Sequence, residues 1–174
     1  MTAELIMSSR LCKVQPDTKV AEACQIMHRE QVRNLPVVDE EGAFIGLFGI
    51  RRLARLLLPK AAAMEDRHRL IDLSFMPDEL GEMYDRLQAI GNRPISEFLE
   101  KKKKLLFCSP DTTFPELLEL LDQSTDTSLP VIVVSGKKRK LVGMVSFWDV
   151  LEKLVINVFA EPSGGSKDCR DPEG

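Results

Sequence analysis

No run of about 18 apolar residues occurs in this chain, so nothing in it reads as a membrane-crossing helix. The opening stretch, MTAELIMSSR, lacks the apolar centre of a secretory signal, and the chain is expected to be cytoplasmic. Cysteine is scarce. Cys12, Cys24, Cys108 and Cys169 form no CxxC and no regular framework, which argues against a disulfide scaffold. They are expected as reduced thiols, the first three packed in the core. The two histidines, His28 and His68, have no partner at metal-ligand spacing, so no metal site is assigned. There is no P-loop, no GxSxG and no Ser-His-Asp set, so no catalytic residue is assigned and no enzyme is expected. The net charge of −3 gives no overall attraction to nucleic acid or an anionic membrane. Two basic runs, KKKK (101–104) and KKRK (137–140), lack the interleaved aromatics that nucleic-acid binding wants, and read first as solvated loops.

What the chain does have is a repeat. QPDTKVAEACQIM (15–27) lies over SPDTTFPELLELL (109–121), and NLPVVD (34–39) over SLPVIV (128–133), both at an offset of 94 residues. GLFGIRRLARLL (46–57) then lies over GMVSFWDVLEKL (143–154) at an offset of 97. The slip falls where DEEGAF is replaced by the longer VSGKKRKLV, which marks a hairpin tip, because insertions belong in turns.

Each copy reads alike. An approach segment ends at Pro-Asp-Thr and a helix follows. Val20, Ala23, Cys24 and Met27 share one face in copy one, and Phe114, Leu117, Leu118 and Leu121 in copy two, at i, i+3, i+4, i+7 spacing. Thr113 and Glu116 form a capping-box pattern around Pro115. A short β-branched strand comes next, then a glycine turn, a second strand and a closing helix. The expected fold is α/β (α+β), the order β-α-β-β-α occurring twice. One unit of about 50 residues buries too little apolar surface to stand alone, so the two are expected to pack sheet to sheet by pseudo-twofold symmetry.

The ordered set of Pro-Asp-Thr, helix, LPVVD, glycine turn and Gly-h-h-Ser-x-x-Asp resembles the CBS domain (cystathionine-β-synthase domain). A tandem pair of these is a Bateman module. The resemblance divides the chain into repeat 1 (6–58), a helical linker (59–93), repeat 2 (94–158) and a disordered tail (159–174). It implies a non-catalytic regulatory module that needs no cofactor. As regulatory ligand it would take an adenosine-containing nucleotide (AMP, ADP or ATP) in a cleft between the repeats, and it would often dimerise.

Ser146 and Asp149 carry that implication. By themselves they are a helix N-cap and an N3 carboxylate, worth about 1 kcal/mol or somewhat more. Yet a helix N-terminus after a glycine-bearing strand is also a phosphate site, and a carboxylate there accepts the two hydroxyls of a ribose. The resemblance implies hydroxyl for phosphate and carboxylate for diol at these two positions, with Gly143 beside them. It places adenine near Leu106, Asp126, Ser128 and Pro130. Copy one departs: Gly49 stands for Ser146 and Arg52 for Asp149. Guanidinium only donates, so the ribose contact is missing there and one site per chain is expected. Arg51 and Arg52 read either as a solvated face or as phosphate contacts from across the cleft, and Lys101 as a possible third.

Between the repeats, MPDELGEMYDRLQAIGNRP carries start and stop signals for a helix of about 12 residues, with Leu80, Met83, Tyr84 and Leu87 on one face. It reads as a helix packed on the module's edge or as a docking element. The apolar closing helices suggest a homodimer. A protein-interaction scaffold with a vestigial nucleotide site is the alternative to a nucleotide sensor.

Overall fold

The structure, a computed structural model, describes residues 1–57, 79–124 and 129–159. The first part of the expected linker, the expected tail beyond Phe159, His68, Cys169, Asp126 and Ser128 lie outside the described residues.

The first half contains α2 (Val20–Arg29), β1 (Asn34–Val38), β2 (Phe44–Gly49) and α3 (Ile50–Leu57), preceded in the chain by α1 (Ala3–Ile6). Helix α4 (Glu79–Gly91) follows, then β3 (Phe107–Cys108), α5 (Phe114–Ser124), β4 (Val131–Ser135), β5 (Lys140–Val145) and α6 (Phe147–Phe159). β1 and β2 form an antiparallel pair, and β4 and β5 another, each with a register shift just past the residue opposite the matched glycine, Val37/Val38 past Gly46 and Val133/Val134 past Gly143. This pairing sets Val37 where Val133 stands, two residues beyond the alignment of LPVV with LPVI. β3 adds to β4 in parallel. In the first half the leading strand of the expected order is reduced to one parallel bridge, Val14 to Val37.

Both hairpin tips fall where the repeat slips. Gly42 has φ +82° and Gly136 φ +71°, conformations that glycine adopts without steric cost. The Asp39 carboxylate accepts the N–H of Glu41 and Ala43 at 3.0 and 2.8 Å, closing the first turn. The tips meet: the Phe44 N–H donates to the Arg139 carbonyl and the Leu141 N–H to that of Gly42, at 3.1 and 3.0 Å. Glu41 pairs with Lys138 at 2.6 Å across the same junction. Below it, Val38, Leu47, Leu105, Leu129, Ile132 and Leu141 form a shared apolar layer. Phe44 meets Phe107 edge to face, and the Arg139 guanidinium lies 4.1 Å from the Phe107 ring centre.

The halves also exchange their entry segments. Ala3 and Ile6 of α1 are buried with Leu117, Leu121, Val131, Val133 and Val145 of the second half. Ile95 and Phe98, in a 3-10 turn before β3, are buried with Val20, Ala23, Leu35 and Phe48 of the first. Hydrogen bonds follow the same exchange. Ala3 N–H donates to the Thr112 carbonyl and Phe114 N–H to that of Met1, while Ile95 N–H donates to Thr18 and Val20 N–H to Arg93. Each entry segment then crosses a glycine. A Cβ on Gly143 would stand 2.4 Å from the Met7 sulfur, and one on Gly46 2.6 Å from Leu99 Cδ1.

Two sequence expectations change here. Leu118 is exposed rather than part of the core face of α5. Tyr84 points to solvent, while Leu87 of the expected face packs on the first-half core together with Ile90, as do Leu53 and Leu56. The side chain of Leu80 lies outside the described residues. Arg86 of α4 donates to the Leu57 carbonyl at 3.0 Å, satisfying one orphan acceptor at the end of α3.

Candidate functional site

The sequence feature to test is the start of α6. The Ser146 N–H donates to Asp149 Oδ2 at 2.7 Å, its hydroxyl reaches the same oxygen, and the Asp149 N–H approaches Ser146 Oγ at 3.4 Å. This is a reciprocal capping box, so the helix-start reading of these residues is realised. Both remain half-exposed, just after β5. The geometry therefore offers what the sequence offers: a hydroxyl, a carboxylate and the positive end of a 13-residue helix in one place.

A residue that sequence reading missed joins them. The Ser8 hydroxyl donates to the free oxygen of the carboxylate, Asp149 Oδ1, at 2.5 Å. Ser8 is held there by paired backbone bonds with Met144, 2.9 and 3.1 Å long. The separation of 141 residues left no local signal.

The other predicted residues are distributed as follows. Gly143 lies in β5 under Met7, and its lack of a side chain lets the entry segment cross. Leu106 is half-buried against the second-half core, and its carbonyl accepts the Ile132 N–H at 2.9 Å. Pro130 is buried just before β4. Lys101 is exposed at the start of the Lys102–Lys104 turn.

At the start of α3 the chemistry is reversed. A Cβ on Gly49 would sit 2.5 Å from Asn34 Oδ1, so that side chain occupies the space a serine would need. Arg51 is exposed and Arg52 half-buried, with its Nε enclosed and without a hydrogen-bond partner. Glu100 crosses β2 as Ser8 crosses β5, its N–H donating to the Leu47 carbonyl at 2.8 Å, and it is only 6% exposed. The side chains of Ser146 and Asp149 hydrogen-bond each other, and Asp149 also accepts from Ser8.

Among the described residues no group of three or more His, Cys, Asp or Glu is arranged to hold a metal, and no helix is long and apolar enough to cross a membrane. Cys12 and Cys24 are half-buried and Cys108 buried, all as free thiols. Burial raises the Cys24 pKa, and it raises that of Cys108 against an opposing hydrogen bond from Thr112.

Comparison with known proteins gives consistent findings. The CBS domain family model matches residues 3–59 and 95–156. The chain is similar to CBSX2 of Arabidopsis thaliana, a CBS-pair protein, with a TM-score of 0.65 at 18% identity, covering 92% of this chain and 98% of that one. The same protein has been solved in complex with AMP, with a TM-score of 0.62 over 88% of this chain and 96% of that one. The CBS domain pair of MJ0100, solved with 5-methylthioadenosine and S-adenosyl-L-methionine, matches with a TM-score of 0.58 at 17% identity over 88% of this chain and 95% of that one. By sequence, inosine-5'-monophosphate dehydrogenase of Aquifex aeolicus is 26% identical over 140 residues. That stretch is 80% of this chain but only 22% of the enzyme.

Proposed function

The chain belongs to the CBS-domain family as a tandem pair, and from that premise we propose that it is a non-catalytic, cytoplasmic regulatory module that binds an adenine nucleotide at the start of α6. The observation that carries this reading is the Ser146–Asp149 pair on the N-terminus of α6. The ligand phosphate takes the Ser146 hydroxyl and the free N–H groups of the first turn. The ribose diol takes the Asp149 carboxylate, and adenine lies towards Leu106 and Pro130. The AMP complex of CBSX2 and the adenosyl ligands of the MJ0100 pair support this ligand class. Arg51, Arg52 and Lys101 supply positive charge for further phosphates, so affinity rises from AMP to ATP and falls with added salt.

Titration calorimetry with adenosine, AMP, ADP and ATP tests the reading. A hydrogen bond to a charged group contributes about 1.5–3 kcal/mol, so Asp149→Ala is expected to weaken the best ligand by at least tenfold. Equal affinity in wild type and variant would remove Asp149 from the site. No binding across the panel would favour a second reading, a scaffold that self-associates. That reading has its own support: Trp148, Ile156 and Val158 of α6 are 73%, 53% and 67% exposed, an apolar surface suited to a homodimer. Light scattering over a concentration range distinguishes a dimer from a strict monomer.

A further inference from the structure

The entry segment that crosses β5 reaches the proposed ribose position before any ligand does. Asp149 has two carboxylate oxygens. Oδ2 is engaged by the Ser146 N–H and hydroxyl, an interaction that caps α6. Oδ1 is engaged by the Ser8 hydroxyl at 2.5 Å. A ribose diol needs an acceptor oxygen on each hydroxyl, and the oxygen that the cap leaves over is the one that Ser8 holds. Ser8 itself is exposed, so its hydroxyl can turn to water when displaced, whereas its backbone stays paired with Met144.

We propose that Ser8 is an internal stand-in for a ribose hydroxyl, a latch that every diol-bearing ligand must displace from Asp149. The proposal rests on the reading of α6 as the nucleotide site and adds to it a residue that competes with the ligand for Asp149. The latch sets a threshold. A ligand that offers Asp149 a cis-diol replaces the Ser8 hydroxyl on Oδ1 and the Ser146 hydroxyl on Oδ2, the latter turning to the phosphate, while a ligand with no sugar hydroxyl leaves the latch closed. Ser8 thus acts as a specificity-determining residue, from a segment remote in sequence. The first half carries no such latch. There the crossing residue is Glu100 and the helix residue Arg52, and no ion pair joins them among the described residues.

The test is a thermodynamic cycle with one ligand-free arm. Calorimetry compares AMP with its 2',3'-dideoxy analogue on wild type, Ser8→Ala, Asp149→Ala and the double variant. Ser8→Ala is expected to bind AMP about fivefold more tightly, the scale of one exposed hydrogen bond of about 1 kcal/mol. Its affinity for the dideoxy analogue is expected to stay unchanged, and its gain for AMP to vanish when Asp149 is already alanine. In the ligand-free arm, Ser8→Ala is expected to speed amide exchange at Ser8 and Met144 in the wild-type background and to add nothing when Asp149 is already alanine. AMP affinity that is unchanged or weaker in Ser8→Ala, while Asp149→Ala still weakens it, overturns the latch and leaves the nucleotide site standing. Exchange effects that add in the double variant overturn the Ser8–Asp149 contact itself. No binding of AMP, ADP or ATP to any of the four proteins overturns the nucleotide reading, and the latch with it.

Discussion

The two halves of this molecule share a backbone plan and stabilise their helices by different means. In the second half both helices begin with a hydroxyl–carboxylate box. Thr113 donates its N–H and hydroxyl to Glu116 at the start of α5, and Ser146 does the same to Asp149 at α6. In the first half neither box exists. Lys19 stands at the start of α2 with no side-chain cap, and Gly49 precedes α3. Those helices are instead covered by α4, which packs Leu87 and Ile90 on them and caps α3 with Arg86. The second half thus keeps polar groups at its helix starts and leaves α6 apolar and bare, while the first hides its apolar surface and carries arginines where the carboxylate would be. A repeat conserves the packing that closes the core. It is free to diverge at helix ends, where a cap of about 1 kcal/mol can be replaced by burial.

The comparison is broken most severely by attacking the exchange of entry segments. Ile6→Ala removes a side chain that is 2% exposed and is expected to cost about 2–5 kcal/mol in denaturant unfolding; Phe98→Ala is expected to cost about 3–5. Hydrogen exchange separates them. Ile6→Ala should speed exchange first in β4 and β5, and Phe98→Ala first in β1 and β2. If each variant loosened the half to which it is nearer in sequence, the exchange would be wrong.

The crossing glycines give the next effect. Overpacking costs about 1–3 kcal/mol, and both Gly143→Ala and Gly46→Ala are expected to fall in that range. Gly143→Ala should cost more. Its Cβ would meet Met7 down to the Cβ atom, at 3.0 Å, whereas the Leu99 Cβ stands off at 3.4 Å from Gly46. Equal thermal unfolding midpoints would show that the two crossings are not distinguishable by packing.

Exchanging the caps sharpens the contrast further. Ser146→Ala loses the box at α6 and is expected to lower stability by about 0.5–2 kcal/mol. Gly49→Ser should bring no matching gain, since Asn34 Oδ1 holds the space at 2.5 Å. A rise in the unfolding midpoint of Gly49→Ser would show that Asn34 yields.

The smallest effect lies in pH. The hydroxyl and N–H of Thr113 hold the Glu116 carboxyl below the usual glutamate range. A folded-state pKa below the unfolded one adds stability above the unfolded value, and that stability is lost as pH falls through the folded one. Glu116→Gln should therefore lower the unfolding midpoint slightly at neutral pH, with the difference from wild type closing on acidification. A pH-independent gap at Glu116 would remove the carboxylate from the cap.

Much of this was legible in residue order. The duplicated Pro-Asp-Thr, the β-branched strands and the glycine tips mark the repeats and hairpins, and the structure places both tips where the repeat slips. The Thr113–Glu116 and Ser146–Asp149 boxes were readable because their partners lie three residues apart, within the reach of one helical turn. Leu118 and Tyr84 misled because helical spacing names a face before anything shows how wide the partner surface is.

Short-range physics let the sequence by itself determine the paired strands, the two helices of each repeat, their order, the caps of α5 and α6 and the hairpin turns, since those depend on dihedral preference and on contacts a few residues long. Only the tertiary structure decided that α1 closes the second half and that Ile95 and Phe98 close the first. Ser8 meets Asp149 for the same reason: the crossing is selected by the burial of the whole pair, and no local pattern records which half an entry segment will join.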